Sequence, residues 1–203
     1  MIVVQNIFSW IDSALLLSMI LVWIGNRYKL SLKIQRISIF LVSIACLLPI
    51  AGLSMFMYPH ALFGDLSMTS KTFMIAWLVY RLGGPVLMDM KEIRILLRGV
   101  AVFGLVFYPL ALGLTPFDPY SAGYSASILI IWTVVIAAYG LKNGYSVLTV
   151  SMLVALWGYI LGILESDNLF DYLFDPLLFL YAVGFTCVTF LQNRKTNNTV
   201  RQA

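Results

Sequence analysis

Residues 7–24 read IFSWIDSALLLSMILVWI, and this apolar stretch decides the class of fold. Its length is close to the roughly 20 apolar residues that a helix needs to cross a bilayer. It ends at the polar sequence Asn26-Arg27-Tyr28-Lys29. Because no basic region or small-residue cleavage motif accompanies it, we expect a retained span rather than a signal peptide.

The composition extends this interpretation to the whole chain. Of 203 residues, 61% are hydrophobic and only 11% are charged, with a mean hydropathy of +0.93. A soluble domain is far more polar than this. At about 20 residues per span, the chain holds about six to eight spans in one bundle.

We predict an all-α polytopic bundle of about seven spans. They cover roughly 7–24, 37–58, 62–79, 99–114, 125–141, 147–164 and 177–191. Pro49 and Gly52 are expected to kink the second span. The third has two registers, Thr72 to Met88 and Leu62 to Val79; we favour the latter, since it moves Arg81 from mid-membrane to the cytoplasmic edge.

A helix break follows the third span at Gly83-Gly84-Pro85. After it, apolar and charged residues alternate at helical spacing between residues 86 and 98. This pattern predicts a short amphipathic helix in the membrane interface.

The basic residues set the orientation. With seven spans, most of the 13 Lys and Arg share one side, which is then the cytoplasm. They are Arg27, Lys29, Lys33, Arg36, Lys91, Arg94, Arg98, Lys142, Arg194, Lys195 and Arg201. We therefore predict an external N-terminus, one transmembrane domain (1–192), a polar cytoplasmic tail (193–203) and a bacterial cytoplasmic membrane. Since insertion explains these charges, we expect no nucleic-acid partner.

The acidic residues cluster on the other side, most densely in the last outer loop. Asp167, Asp171 and Asp175 are spaced four apart, so a helix would place three carboxylates on one face. Such a face would attract a cation, a basic partner or a sugar hydroxyl. The alternative is helix capping, by Asp175 ahead of Pro176 and by Asp167 in the loop.

A second polar stretch runs from Gly64 to Lys71. It is either a turn lining a cavity or the start of a span capped by Asp65. Asp12 lies inside the first span, where an ionised carboxylate needs a partner, and Lys71 is the expected one. Together with Arg81 and with Asp118 of the tight outer loop, this pair is the predicted substrate-binding set.

We expect no cofactor and no metal site, because His60 is the only histidine and both cysteines fall in spans. The favoured function is a transport element or a subunit of a cell-envelope assembly complex, not an enzyme. The alternative is a transferase or hydrolase acting on a lipid-linked substrate at the outer leaflet. In that case Asp167, Asp171 or Asp65 would be the general base or a metal ligand, and Lys71 or Arg81 would hold a phosphate. A third hypothesis is a stabilising partner of a larger membrane protein.

Overall fold

The computed structural model describes the backbone of residues 2–202 and the side chains of residues 6–192 and 194. Within that range the chain is helical apart from one hairpin of two-residue strands, so the all-α prediction is confirmed. The elements in order are α1 (Ile2–Arg27), α2 (Leu32–Ala45), β1 (Pro49–Ile50), β2 (Leu53–Ser54), α3 (Met57–Phe63), α4 (Met68–Arg81), α5 (Met90–Ala111), α6 (Ala122–Ser125), α7 (Ser127–Lys142), α8 (Ser146–Ile160), α9 (Leu169–Leu173) and α10 (Pro176–Gln202).

Short connections fold α1 with α2, and α7 with α8, into helical hairpins. Further packing joins α4 to α1 and α8, and α5 to α10. Glycines allow the closest approaches, since a Cβ on Gly104 of α5 would lie 2.2 Å from the Phe179 ring of α10. Small residues at helix crossings are typical of membrane bundles.

The core consists of two clusters of buried apolar side chains. The larger cluster joins α5, α8, α9 and α10 and includes Leu97, Phe107, Met152, Phe170 and Phe174. The smaller lies where α4, α8 and α9 meet and includes Met68, Leu156, Leu169 and Tyr172. The short helix α9 contributes to both, so it is packed inside the bundle rather than lying on its surface.

Two helices are long and apolar enough to cross a membrane, Asn6–Arg27 and Met90–Ala111. Three further apolar helices are shorter: Ser127–Lys142, Ser146–Ile160 and Pro176–Gln192. Only 33% and 28% of the 18-residue apolar stretches within these two helices is buried inside the protein. Both therefore turn most of their apolar surface outward, whereas the core helix of a soluble protein is mostly enclosed.

The second predicted span, residues 37–58, is wrong as a continuous helix. Helix α2 ends at Ala45, and the chain turns back through the hairpin of β1 and β2 into α3. The turn needs positive φ at Ala51 and Gly52, 51° and 88°, and Pro49 has no N–H to continue a helix. Proline and glycine therefore end the helix instead of kinking it.

The third predicted span is right at its end and wrong at its start. Helix α4 ends at Arg81, and the break at Gly83-Gly84-Pro85 is confirmed, with Gly83 at a φ of 82°. It begins at Met68, not Leu62, because the Ser67 side chain accepts the amide of Ser70 and caps the first turn.

The amphipathic interfacial helix is also a wrong prediction. Residues 90–98 form the beginning of α5, which continues unbroken to Ala111. Asp89 caps this helix by accepting the Glu92 amide over 2.6 Å. Glu92 is 3% exposed, and its carboxylate accepts the Leu148 amide at the start of α8 over 2.7 Å. Its charge is thus used inside the protein, as a cap for a neighbouring helix.

Candidate functional site

A pocket of about 440 Å³ opens where α5 ends and α10 begins. We call it the acidic pocket, because its lining residues include Asp65, Glu165, Asp171 and Asp175. No Lys, Arg or His lines it among the residues with described side chains. Aromatic rings form its inner wall, from Phe107, Tyr108, Tyr120, Phe170 and Phe174.

Asp171 is bound at the pocket by a tyrosine that the sequence did not single out. Tyr120 Oη donates to Asp171 Oδ2 over 2.7 Å. Burial of the phenol, together with the bound carboxylate, raises the pKa of Tyr120 above its usual value. Its hydroxyl therefore remains a donor at physiological pH. One oxygen of Asp171 is used, and the other remains for a ligand.

Asp118 supports this tyrosine from outside the pocket. Its Oδ1 accepts the Tyr120 amide over 2.9 Å, which closes an Asx-turn. The Asp118 side chain is exposed and is not among the residues that line the pocket. Its predicted contact with a substrate stays a prediction, and its observed contact is with its own loop.

Asn168 holds the acidic loop in place, and the sequence analysis missed it. It is fully buried, donates to Tyr120 O over 2.9 Å and accepts the Phe170 amide, capping α9. A Cβ on Gly123 would lie 1.7 Å from Asn168 Oδ1, so the glycine makes room for this amide. The expected cap at Asp167 is wrong, because Asn168 has that role and Asp167 is exposed.

Asp175 caps two helices at once. Its Oδ1 accepts the Leu178 amide over 2.9 Å at the start of α10, as predicted for a residue ahead of Pro176. Its Oδ2 accepts the Ser67 amide over 2.9 Å and the hydroxyl of Ser70, both at the start of α4. The side chain is 6% exposed, so this junction is largely dry.

The predicted face of three carboxylates is wrong. Only residues 169–173 of this loop are helical, and the chain is extended at Phe174, so Asp167, Asp171 and Asp175 do not share a helix. Asp171 and Asp175 still meet at the acidic pocket, whereas Asp167 is not among its lining residues. In this conformation Phe170 and Phe174 pack against Phe107, with ring centres 4.6 Å and 5.0 Å away.

Asp12 and Lys71 form the predicted pair. Lys71 Nζ lies 3.1 Å from Asp12 Oδ1, and the two residues are 5% and 1% exposed. Asp12 Oδ2 also accepts the Leu66 amide over 3.0 Å, and Lys71 donates to the Leu66 carbonyl over 2.6 Å. The ammonium group lies 5.7 Å from the centre of the Phe8 ring, within range of a cation–π contact.

Asp65 lies at the rim of the acidic pocket and does not cap α4. It accepts the Glu165 amide over 3.2 Å, and its Oδ1 is 3.7 Å from His60 Nδ1, beyond hydrogen-bond reach. The capping role predicted for it belongs to Ser67, two residues further on. Asp65 therefore ties the segment before α4 to the loop after α8.

Arg81 is far from this set. It ends α4, ten residues beyond Lys71, or roughly 15 Å at 1.5 Å per residue. Its guanidinium is exposed and lies 5.3 Å from the centre of the Trp77 ring. The structure therefore brings together Asp12 with Lys71, and Asp65 with Asp171 and Asp175, but not Arg81.

A second cavity, of about 610 Å³, runs between α5 and α7 with α8 behind it. We call it the apolar groove. Its lining is almost entirely hydrocarbon and includes Ile95, Gly99, Phe103, Leu129, Trp132, Ile136, Leu148, Met152, Phe170, Leu173 and Phe174. Phe170 and Phe174 line the acidic pocket as well, so the two cavities share an aromatic wall.

Thr69 is the polar exception in the depth of the groove. It is 2% exposed, and its Oγ1 has no hydrogen-bond partner. Leaving a buried hydroxyl unpaired costs about 1–3 kcal/mol. Thr133 also lines the groove, but its hydroxyl donates to the Leu129 carbonyl. Thr69 therefore has an unused donor and acceptor next to the aromatic wall.

The chain matches no family model, no curated protein and no solved structure.

The acidic pocket suits a ligand that donates hydrogen bonds or carries positive charge. Among the described residues, no group of three His, Cys, Asp or Glu side chains is arranged to hold a metal ion. The cation predicted to hold a phosphate, Lys71, is already paired with Asp12. A carboxylate-lined pocket without a basic residue repels phosphate and attracts amines and hydroxyls.

Proposed function

We propose that this chain is a seven-span protein of a bacterial cytoplasmic membrane, with its N-terminus outside and its C-terminus inside. Helices α1, α2, α4, α5, α7, α8 and α10 would each cross, with the hairpin and α3 at the outer end of α2, where Trp10 of α1 donates to the Ser43 carbonyl. Arg36 donates to the Leu82 carbonyl, which supports placing the start of α2 and the end of α4 on the same side of the membrane. The hydrogen bond from the Ser67 amide to Asp175 supports placing the starts of α4 and α10 together on the opposite side.

We further propose that it acts without catalysis, as a transport element or a subunit of an envelope-assembly complex that binds a ligand at its outer face. The observation that carries this proposal is the acidic pocket, which has four acidic lining residues and no basic one in the described part of the chain. A transferase or hydrolase acting on a phosphate-linked lipid needs a cation beside its carboxylates. Neither Lys71 nor Arg81 is in that position.

The orientation is tested by cysteine labelling in whole cells and in inverted membranes. Asp118→Cys lies in an exposed loop at the acidic end, and Asn143→Cys in the loop between α7 and α8. A membrane-impermeant maleimide should label the first in cells and the second in inverted membranes only. The reverse pattern, or a reporter fused after Ala203 that proves extracytoplasmic, would refute the seven-span topology.

Ligand binding is tested by fluorine NMR of the protein labelled with 3-fluorotyrosine in lipid nanodiscs. The Tyr120 resonance, assigned by its absence in Tyr120→Phe, reports on the bond to Asp171. We expect ethanolamine or glucose to shift it and inorganic phosphate to leave it unchanged. Tyr28, which is 74% exposed beyond α1, is the internal control. A shift with phosphate alone would favour the enzyme, and no shift with any probe would refute a binding pocket.

A further inference from the structure

We propose that the apolar groove holds the hydrocarbon chain of a lipid or lipid-linked molecule whose amine- or hydroxyl-bearing head group occupies the acidic pocket. This inference rests on the proposed function and names the class of ligand for that pocket. It requires that the groove suit one chain, that the two cavities adjoin, and that a feature of the groove distinguish it from ordinary lipid contact.

The dimensions of the groove suit one chain from one leaflet. On α7 its lining extends from Leu129 to Tyr139, roughly 15 Å at 1.5 Å per residue. That is about half of the ~30 Å hydrocarbon core of a bilayer. On α5 the lining runs from Ile95 to Phe103, facing the same depth. Since almost every side chain in it is apolar, a lipid chain is the occupant that the surroundings supply.

The groove and the acidic pocket adjoin along α5. Phe103 lines the groove, and Phe107, one turn further, lines the pocket. Phe170 and Phe174 of the α9 segment line both cavities and pack against Phe107, with ring centres 4.6 Å and 5.0 Å away. A molecule with its chain in the groove and its head in the pocket would pass these rings at the junction of head and chain.

Thr69 distinguishes the groove from a lipid-facing surface. Thr69 is one of the lining residues, and its hydroxyl is buried without a hydrogen-bond partner. The next residue, Ser70, binds Asp175, which lines the pocket. An ether, ester or amide oxygen at the start of the lipid chain is the kind of group that this hydroxyl would bind. A lipid that only surrounds the protein would not contact this hydroxyl, because the hydroxyl is buried inside the bundle.

Photo-crosslinking in phosphatidylcholine nanodiscs tests the proposal. The probes are hexadecylamine, hexadecyl glucoside and hexadecanoic acid, each with a diazirine in mid-chain. We expect the amine or the glucoside to label peptides containing Phe103 and Trp132 at least fivefold more than the acid does. The amine and glucoside arms distinguish a cationic head from a hydroxylated one.

The groove is blocked by Gly99→Trp, because a Cβ at Gly99 meets nothing within 4 Å and the ring would fill the cavity. Gly184→Trp is the matched control, since Gly184 also lies in open space, on the exposed side of α10. We expect labelling to fall at least fivefold in the first and to be unchanged in the second. Thr69→Val, which adds no bulk, should lower labelling at least twofold while the protein keeps its elution volume in gel filtration.

Equal labelling of wild type, Gly99→Trp and Gly184→Trp would identify the signal as annular lipid and overturn the proposal. Equal labelling by all three probes, still blocked by Gly99→Trp and unchanged in Asp171→Asn, would overturn the head-group assignment and the proposed function with it, while a chain site remained. Loss of head-group preference in Asp171→Asn would support both.

Discussion

At the scale of single residues, the buried charges of this protein act between helices. Asp12 of α1 pairs with Lys71 of α4, and Asp175, just before α10, binds Ser67 and Ser70 at the start of α4. Each of these carboxylates also accepts a backbone amide. Their first role is therefore to fix how the helices pack, and a ligand can bind only to carboxylate oxygens that these contacts leave free.

The Asp12–Lys71 pair predicts strong coupling between two substitutions. Lys71→Met leaves a buried carboxylate unpaired and should lower the free energy of unfolding by about 3–5 kcal/mol. Asp12→Asn leaves the ammonium unpaired and should cost a similar amount. The double variant removes both charges and should recover most of the loss. Thermal unfolding in detergent, followed by tryptophan fluorescence, measures all three.

Lys142→Met is the control for this cycle, because Lys142 is exposed at the end of α7 and should change stability by less than about 0.5 kcal/mol. Additive losses in the double variant would show that the two side chains do not depend on each other.

Residue chemistry could be predicted where only one partner was possible. Asp12 needed a buried cation, and Lys71 was the polar residue at matching depth. Asp175 before Pro176 was a specific capping pattern. The caps predicted at Asp65 and Asp167 failed because Ser67 and Asn168, nearby in sequence, are equally good capping residues. Contacts such as Tyr120 with Asp171 depend on how distant loops pack, which no local pattern encodes.

At the scale of elements, the starts of α4 and α10 form one unit. Asp175→Ala removes the acceptor for the Ser67 amide, the Ser70 hydroxyl and the Leu178 amide. We expect a loss of about 2–3 kcal/mol and faster hydrogen exchange in both first turns, measured by mass spectrometry. Asp89 caps only α5, so Asp89→Ala should lower the free energy of unfolding by about 1 kcal/mol and speed hydrogen exchange in α5 alone. Faster exchange in α10 only, after Asp175→Ala, would refute the shared cap.

The contact between α5 and α10 predicts a second effect at this scale. Gly104→Ala would place a methyl group 2.2 Å from the Phe179 ring, so the helices must separate or the ring must move. We expect a loss of about 1–3 kcal/mol in thermal unfolding, as for an overpacked core. Gly184→Ala on the same pair of helices has open space and should be neutral or stabilising by up to about 1 kcal/mol. Equal stability of the two variants would contradict the close approach.

The ends of helices could be predicted where the sequence holds a strong helix-breaking motif. Gly83-Gly84-Pro85 ended α4 as expected, whereas Pro49 and Gly52 produced a full reversal that hydropathy cannot distinguish from a kinked helix. The charged beginning of α5 looked like a surface helix because the sequence does not show that Glu92 meets the amide of Leu148.

At the scale of the whole molecule, α7 and α8 have 16 and 15 residues, fewer than the roughly 20 that a span usually needs. Short spans are accommodated best by a thin bilayer. We expect a higher midpoint of thermal unfolding in vesicles of dimyristoyl phosphatidylcholine than in those of a phosphatidylcholine with 22-carbon chains. The opposite order would indicate that the two short helices do not set the hydrophobic thickness.

The hydrogen bonds between Asp175 and the start of α4 also affect the order in which the chain can fold during synthesis. The Leu66 amide that Asp12 accepts is made 54 residues after Asp12. Asp175, which accepts the Ser67 amide at the first turn of α4, is made a further 108 residues after Ser67. At about 5–20 residues per second, the second interval alone takes roughly 5–20 s. During that time, the first turn of α4 lacks its acceptor from Asp175. The residue that completes the cap of α4 is thus made long after α4 itself, and we expect a chain truncated before α10 to be degraded rather than to fold as a smaller version of the protein.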